Sequence, residues 1–503
     1  MNATASTDPT FESLVRKTRV LSIIGALEGV VSGLAYDSRR VAPGDLFFAL
    51  RGTSENGGFF AIQAGERGAV GVVTDQDLGN LPIPQARVPE ARQAMADIAT
   101  AFYNDPSASL AVAGVTGTNG KTTTSWIIRH LCEVVGRACG LIGTVEYVLP
   151  GRVEEATHTT PESVDLQRML GTMRDGGFKA ASLEVSSHSL VQHRVSGVEF
   201  DAAVFTNLTQ DHLDYHGTMD DYFAAKKILF TTLAGQSKKK GRAVINSDDR
   251  YGRRLIDQLG SLPVISYGQG SNADFRASNI AAHAGGTTFR LDARGRSYLV
   301  RTPLIGLFNV YNTLAAMAAA AAMGLELRRV VAAAATIPQV PGRVQRVPGQ
   351  RNFQAFVDYA HTPDALENIL MVLRQLHPKR LITVFGCGGN RDRGKRPLMA
   401  AAAERHSDLV IMTSDNPRNE DPQAILREMQ TGMKGAQYET FVDRESAIRR
   451  AVELAGSGDI ILVAGKGHEN YQETGSEKIP FDDVHVTARA MAEKPFAEMK
   501  ETR

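Results

Sequence analysis

The sequence predicts an α/β protein of three units. A small N-terminal α/β unit occupies 1–108, a central, mostly parallel sheet of the P-loop ATPase type 109–338, and a C-terminal doubly wound, Rossmann-like unit 339–503. Three observations carry this reading. Strand-length apolar runs alternate with helical patterns along most of the chain, which is the pattern of parallel α/β sheets. A Gly-rich turn followed by Lys121-Thr122 joins one such run to an amphipathic helix. The length, 503 residues, is that of about three average domains.

In the first unit, Ala35-Tyr36-Asp37-Ser38-Arg39-Arg40 leads into the turn Pro43-Gly44-Asp45 and a strand at 46–50. The polar Gly-rich loop 51–58 follows, then a helix at 59–67 and a strand at 69–74. In the second unit, strands are predicted at 110–115, 180–185, 201–208, 242–246 and 264–267, with helices at 164–174 and 222–233. Beyond Ser271, alternating runs at 287–291 and 297–300 read as appended antiparallel strands, and a helix at 309–323 closes the unit. Residues 337–342, IPQVPG, have the two prolines and the glycine of a linker. The third unit has predicted strands at 354–359, 381–385, 409–413 and 460–464, and helices at 363–376, 396–405, 422–432, 444–454 and 484–494. No G-x-G-x-x-G follows its first strand, so its fold class is no argument for a bound dinucleotide.

Charge and cysteine usage narrow the function classes. A formal net charge of +1 offers no bulk attraction for nucleic acid or anionic membranes. Cys132, Cys139 and Cys387 lie in or beside apolar segments without a C-x-x-C pair, which predicts a reducing compartment and no disulfide framework. The first residues lack the basic region and long apolar run of a signal peptide. No stretch approaches the roughly 18 unbroken apolar residues of a membrane span. A cytoplasmic protein without membrane insertion is expected.

Residues 110–125, LAVAGVTGTNGKTTTS, have the parts of a phosphate cradle: strand, Gly-rich turn, Lys-Thr, helix. Gly117 and Gly120 let backbone N–H groups turn toward phosphates, and the helix start adds its positive dipole end. Lys121 would reach the outer phosphates of ATP and the Thr122 hydroxyl would sit on Mg²⁺. The general G-x-x-x-x-G-K-[ST] pattern wants glycine at 115, where this chain has Val115. A bare Gly-Lys-Thr also begins ordinary helices that bind nothing.

Other polar clusters end predicted strands, where ligands bind in open α/β sheets. They are His158-Thr159-Thr160-Pro161, the run from Ser182 through Glu184 to His188, and the run from Asn207 through His212 to His216. Singly, Glu184 reads as a paired structural acid and His212 as a satisfied loop histidine. Together they supply oxygens and imidazoles for Mg²⁺ and hydroxyls for an anionic substrate.

The stretch 115–123, VTGTNGKTT, resembles the phosphate loop of the Mur ligases, ATP-dependent enzymes that build the peptide stem of peptidoglycan and share their fold with folylpolyglutamate synthetases. That family's loop lacks the first Walker glycine, which accounts for Val115. The resemblance covers essentially the whole chain. Tyr36-Asp37-Ser38-Arg39 is similar to the family's UDP-site turn, and HTTPES (158–163) and LEVSSHSLVQHR (183–194) to its central substrate segments. TNLTQDHLDYHG (206–217), the segment 309–312, PGRVQRV (341–347) and VDYAHTPDAL (357–366) continue the match. Asp415-Asn416-Pro417-Arg418 resembles the motif of members that add meso-diaminopimelate, rather than L-lysine, to UDP-N-acetylmuramoyl-L-alanyl-D-glutamate. The chemistry fits: diaminopimelate is lysine with a second carboxylate, Arg418 offers a planar fork for it, and Asp415 can take an ammonium. A bound lysine would then leave Arg418 facing no anion, at a cost of about 2–5 kcal/mol.

The resemblance implies a role for each matching residue. Gly117, Thr118, Asn119, Gly120, Lys121, Thr122 and Thr123 would bind ATP, with Asn309, Arg343, Asp358 and His361 meeting the nucleotide from the closing domain. Lys121, Glu184, His212 and Lys226 would carry catalysis. Thr122, Glu184, His212 and Lys226, the last as a carbamate (N6-carboxylysine), would ligate Mg²⁺. Ser38 and Thr53-Ser54-Glu55 would hold the uridine nucleotide. Thr159, Thr160, Ser186, Gln192 and Arg194 would hold the muramoyl dipeptide, and Arg391, Asp415, Asn416, Pro417, Arg418, Gly465 and Glu469 the incoming diaminopimelate. The implied reaction passes through an acyl phosphate, with closure of the C-terminal unit about 338–342, in a chain expected to act as a monomer. Three alternatives stand beside it: an L-lysine-adding ligase of the same family, a folylpolyglutamate synthetase, which should lack the N-terminal uridine-binding unit, and a non-catalytic P-loop ATP-binding switch module.

Overall fold

The computed structural model describes residues 9–51, 57–283, 285–435 and 437–495. The chain forms two compact units: Met1–Ala277 with Leu291–Ser297 and Tyr311–Ala333, and Ser278–Arg290 with Tyr298–Val310 and Ala334–Arg503.

The first unit begins with a five-stranded sheet in the order Ser22–Ile24, Gln85–Arg87, Gly71–Thr74, Asp45–Ala49, Gly33–Ala35. All its pairs are parallel except that of the edge strand Ser22–Ile24. Alternate residues Leu46 and Phe48 turn to a core that includes Met95 and Ile98 of the helix Ala91–Phe102. That helix, absent from the sequence reading, is capped by the Glu90 carboxylate on Arg92 N–H.

The same unit holds the central parallel sheet, with Val264–Gly268, Arg242–Asn246, Ala202–Phe205, Ala111–Thr116, Ala180–Glu184 and Cys139–Ile142 side by side. Antiparallel strands Glu146–Leu149 and Arg152–Glu155 finish that edge. The strand Phe275–His283 adds to the opposite side in parallel, through Tyr267↔Phe275. The central strands are continuous apolar runs because both faces are covered; Val112, Val115, Leu183 and Phe205 are all fully buried. Register decides where the chemistry sits. Glu184 pairs with Val115 and Phe205 with Thr116, so the turns after residues 116, 184 and 205 open at one edge of the sheet.

The second unit contains a six-stranded sheet in the order Gln345–Arg346, Gln354–Asp358, Ile460–Ala464, Leu381–Cys387, Leu409–Ser414, Tyr438–Phe441, parallel except at its first pair. Helices Pro363–Arg374, Lys395–His406 and Pro422–Gln430 cover one face and Arg444–Leu454 with Asp483–Glu493 the other, the doubly wound arrangement that was expected. Their starts follow local chemistry: Thr362 and Asp421 cap helices whose first residue is proline, and Asp443 and Asp482 cap the other pair. A short antiparallel hairpin, Tyr471–Thr474 with Glu477–Pro480, was not foreseen and proves to matter at the site. Among the described residues, no helix is long and apolar enough to cross a membrane.

Candidate active site

The phosphate loop is braced by the neighbouring strand end. Thr118 N–H donates to Asn207 O at 2.9 Å, Asn119 N–H to Asn207 Oδ1 at 3.0 Å, and the Thr206 hydroxyl to Asn119 O at 2.6 Å. Gly117 is obligatory there, because its φ is +149° and a Cβ would stand 1.8 Å from Thr206 Oγ1. The helix Lys121–Val134 begins at Gly120 without a side-chain cap, which leaves its first-turn N–H groups for an anion. Lys121 Nζ folds onto its own loop, donating to Gly117 O at 3.0 Å and Thr118 O at 2.8 Å.

Beside the loop, Glu184 is fully buried and accepts three hydrogen bonds. The Thr122 and Thr144 hydroxyls each lie 3.0 Å from Oε2, and Thr144 N–H lies 2.8 Å from Oε1. Lys226, on the helix Met219–Gly235, is 1% exposed, with Nζ 2.9 Å from Gly117 O and 4.5 Å from the centre of the Tyr222 ring. Burial, reinforced by the nearby Lys121 charge, pushes its amine well below the ordinary lysine range, which favours the neutral form. Burial raises the Tyr222 phenol to about 12. His212, with φ +52° and its side chain half exposed, stands 5.1 Å from the His188 ring, and His216 Nε2 reaches the Ser187 hydroxyl at 2.9 Å.

These groups suit Mg²⁺ shared with a phosphate. Thr122 and Glu184 offer hard oxygens side by side, and a neutral buried Lys226 is the form that captures CO₂ as an anionic carbamate. Among the described residues no three His, Cys, Asp or Glu side chains form a cage of their own. Mg²⁺, which retains waters and takes phosphate oxygens, does not need one.

The expected dipeptide contacts form a connected network on the same sheet edge. Thr160 Oγ1 donates to Glu184 O at 2.9 Å and accepts from Ser186 N–H at 3.2 Å. The Thr159 hydroxyl meets that of Thr144 at 3.1 Å. Arg194 donates to Thr160 O at 2.9 Å and to Gln192 Oε1 at 2.7 Å, and pairs with Glu162 at 3.1 Å. Glu162 also takes Arg92 at 2.9 Å, which ties this network to the helix Ala91–Phe102. Ser38 is nearly buried, with its hydroxyl 2.7 Å from Gln63 Oε1, and the adjacent Tyr36 donates to Asp165 at 2.5 Å. Thr53-Ser54-Glu55 lies outside the described residues.

In the second unit, the turns after Leu409–Ser414 and Ile460–Ala464 form a charged pair of lips. Asn416 donates through Nδ2 to Glu469 Oε2 at 2.8 Å and accepts at Oδ1 from Lys466 Nζ and Glu473 N–H, each at 3.0 Å. A Cβ on Gly465, whose φ is +116°, would stand 2.6 Å from Asp415 Oδ2, so only glycine admits that carboxylate. Pro417 O caps the turn by accepting Glu420 N–H at 3.1 Å. Arg418 adopts φ +51°, donates to Gly389 O at 2.9 Å and pairs with Glu473 at 3.0 Å. Arg391 is exposed; its Cγ and Arg418 Nη1 are both near neighbours of Gly388. Farther along, Arg343 lies over the Tyr359 ring at 5.0 Å, and Asp358 accepts from Val344 N–H at 2.7 Å and Ala360 N–H at 2.8 Å. His361 Nδ1 is 2.8 Å from Tyr359 O, and Asn309 donates to Ile305 O at 2.8 Å.

Three family descriptions match: Mur ligase family, catalytic domain, over 30–103; Mur ligase middle domain over 115–320; and Mur ligase, glutamate ligase domain, over 342–467. A relative from Geobacillus thermodenitrificans, a UDP-N-acetylmuramoyl-L-alanyl-D-glutamate–2,6-diaminopimelate ligase, is 47% identical over 92% of this chain and 95% of its own. The chain belongs to the Mur ligase family. A relative from Geobacter sulfurreducens with the same name is 44% identical over 94% of this chain and 96% of its own. A solved structure, also so named, superposes with a TM-score of 0.73 at 36% identity, covering 97% of this chain and 99% of that one. Like its family, this Mur ligase is an ATP-dependent enzyme that forms peptide bonds.

Within this Mur ligase, one expectation needs correction. Glu473 already neutralises Arg418, so a bound lysine would not leave the guanidinium unpaired. Several neighbours of the site also escaped the sequence reading. Thr144, Arg92, Lys466 and Glu473 carry no local motif, and Glu162, inside HTTPES, was given no role; only the folded sheet edges bring them to the residues they hold.

Proposed function

We propose that this ligase adds meso-diaminopimelate to the D-glutamyl residue of UDP-N-acetylmuramoyl-L-alanyl-D-glutamate. The observation that carries the reading is the Asp415–Arg418 turn, with its acid against Gly465, its amide on Glu469 and its guanidinium on Gly389 O and Glu473. The matching names of relatives across nearly the whole chain support it. An amino acid with two ammonium groups and two carboxylates meets complementary charges there: Asp415 and Glu469 for ammonium, Arg418 and Arg391 for the distal carboxylate.

The γ-carboxylate of the D-glutamyl residue attacks the γ-phosphorus of ATP, ADP leaves, and an acyl phosphate forms. The amine of diaminopimelate then attacks the acyl carbon, the C–O bond to phosphate breaks, inorganic phosphate departs and the nitrogen loses a proton. Lys121 and the uncapped helix start offset the repulsion between carboxylate and triphosphate, and Arg194 with Thr159, Thr160, Ser186 and Gln192 orients the dipeptide. Thr122, Glu184, His212 and carbamylated Lys226 would hold Mg²⁺, which supplies further charge neutralisation when bound. Ser38 takes the uridine nucleotide, and Asn309, Arg343, Asp358 and His361 meet ATP. All substrates are small soluble molecules, consistent with a monomer acting in the cytoplasm.

Phosphate release from ATP and Mg²⁺ with the UDP-muramoyl dipeptide tests this directly. Release is expected with meso-diaminopimelate and far less with L-lysine. Equal or greater release with lysine would discard the assignment of Asp415–Arg418, and silence with both would discard the ligase reaction.

A further inference from the structure

The helices Arg444–Leu454 and Asp483–Glu493 each begin with a fully buried charge. Arg444 donates Nε to Asp483 Oδ1 at 2.8 Å and Nη2 to Asp483 Oδ2 at 2.7 Å, a bidentate pair with no exposure on either side. Its remaining reach goes to two carbonyls, Ser414 O at 3.2 Å and Ala464 O at 3.1 Å. Those are the last residues of the strands Leu409–Ser414 and Ile460–Ala464, which flank Leu381–Cys387 without touching one another. The next residues along the chain are Asp415 and Gly465, the beginnings of the two charged lips.

This is an unfavourable place for an arginine. A cation at the first position of a helix opposes the helix dipole, and desolvating an ion pair costs as much as, or more than, its attraction returns. An apolar pair of similar volume would fill the space as well. What it could not do is fasten two non-adjacent strand ends to one rigid, planar group. The charge also lies behind the acids: Asp415 and Glu469, with Asp483, favour the charged form of Arg444 against its burial.

We infer that Arg444, locked by Asp483, is a positioning residue that sets the separation of the 415–418 and 465–469 lips, and with it the length and charge pattern of the amino acid accepted. The inference rests on the assignment of those lips to the incoming amino acid. Neither residue belongs to the motif that marks the site, and both side chains are fully buried.

The test compares wild type with R444K and with R444M/D483L, which replaces the pair by apolar side chains and leaves both helix starts packed. Steady-state KM is measured separately for diaminopimelate, ATP and the UDP-muramoyl dipeptide, with thermal unfolding in parallel. KM for the amino acid is expected to rise about 10- to 100-fold in the double variant, the scale of a misplacement near 1 Å, while the other two stay put. R444K, which keeps the charge but not the planar fork, is expected to fall between. Preference for diaminopimelate over lysine should shrink in the same order. An unchanged amino-acid KM in either folded variant, or all three KM values moving together, would overturn the inference. If the wild type proves to use lysine instead, the reading of Arg418 fails, and the KM for lysine then tests the positioning role.

Discussion

The Thr122 hydroxyl donates to the Glu184 carboxylate across 3.0 Å, although 62 residues separate the two in the chain. The contact joins the first turn of the phosphate-loop helix to the end of the next strand, and Thr144 completes it from a third element. Removing the carboxylate altogether would strand three buried donors, at about 1–3 kcal/mol each. Glu184→Gln keeps the shape and one acceptor oxygen for Thr144 N–H, while its NH2 can donate to the Thr122 and Thr144 hydroxyls, which can turn to accept, so the charge is lost without stranding a donor. That variant should unfold within a few degrees of wild type, yet need roughly 10- to 100-fold more Mg²⁺ for half-maximal phosphate release. A Mg²⁺ titration of both proteins decides it; overlapping curves would take Glu184 out of the metal site.

Arg418 makes a second, sharper case because Glu473 stands ready to neutralise it. Diaminopimelate must share or displace that partner, whereas lysine meets an already paired fork. Discrimination by Arg418 therefore belongs at the low end of the range for a desolvated charge, about 2 kcal/mol or roughly 30-fold. Arg418→Ala should raise the diaminopimelate KM by about that factor and leave the lysine KM nearly unchanged. Competition between the two amino acids in one assay reads the ratio directly.

What the sequence made legible follows from how local each feature is. The phosphate loop could be read because strand, turn, lysine and helix are consecutive. The strand Ile460–Ala464 and the helix Arg444–Leu454 fall where periodicity and caps put them. Glu473 was not readable: its hairpin is only four residues a side, with no apolar stripe, and it meets Arg418 from 55 positions away only after the sheet is built. Arg444 reads as an ordinary helix arginine until Asp483, in another helix, buries it. The strand Cys139–Ile142 hides for a related reason, since its four residues simply continue the apolar character that follows the phosphate-loop helix.

His468 links this site to acid stability. Burial, with repulsion from Arg343 and Lys466, holds its imidazole down at about 4, against about 6.5 in an unfolded chain. The folded pKa is the lower one, so the unfolded state binds the extra proton. Stability is whole above pH 6.5, falls as the pH drops through the window from 6.5 to 4, and levels off below it. Between pH 7 and 5 the loss from this residue is about 2 kcal/mol. Burial lowers His361 in the same sense, so its contribution adds. Denaturant unfolding at pH 7 and pH 5 should show the wild type losing more than His468→Gln; parallel losses would mean that His468 titrates freely in the folded protein.

Lys226 sets function against stability most plainly. Its amine is buried beside Lys121 and its pKa is pushed down, so below about pH 10.5 the folded chain binds this proton less readily than the unfolded chain does. The cost to the folded state vanishes above that pH and grows as the pH falls toward the depressed folded value. Lys226→Met removes the cost and fills a similar volume. The Gly117 carbonyl it abandons still accepts from Lys121 at 3.0 Å. In CO₂-depleted buffer at pH 7 the variant is therefore expected to be more stable than wild type, by about 0.5–2 kcal/mol. Its phosphate release should fall by about 100- to 1,000-fold, the scale of losing one charge-stabilising group. Bicarbonate separates the explanations: a carbamate forms only on the folded wild type, so added bicarbonate should raise the wild-type melting temperature and leave Lys226→Met unmoved. A variant that is less stable than wild type, or a wild type indifferent to bicarbonate, would make Lys226 an ordinary structural lysine.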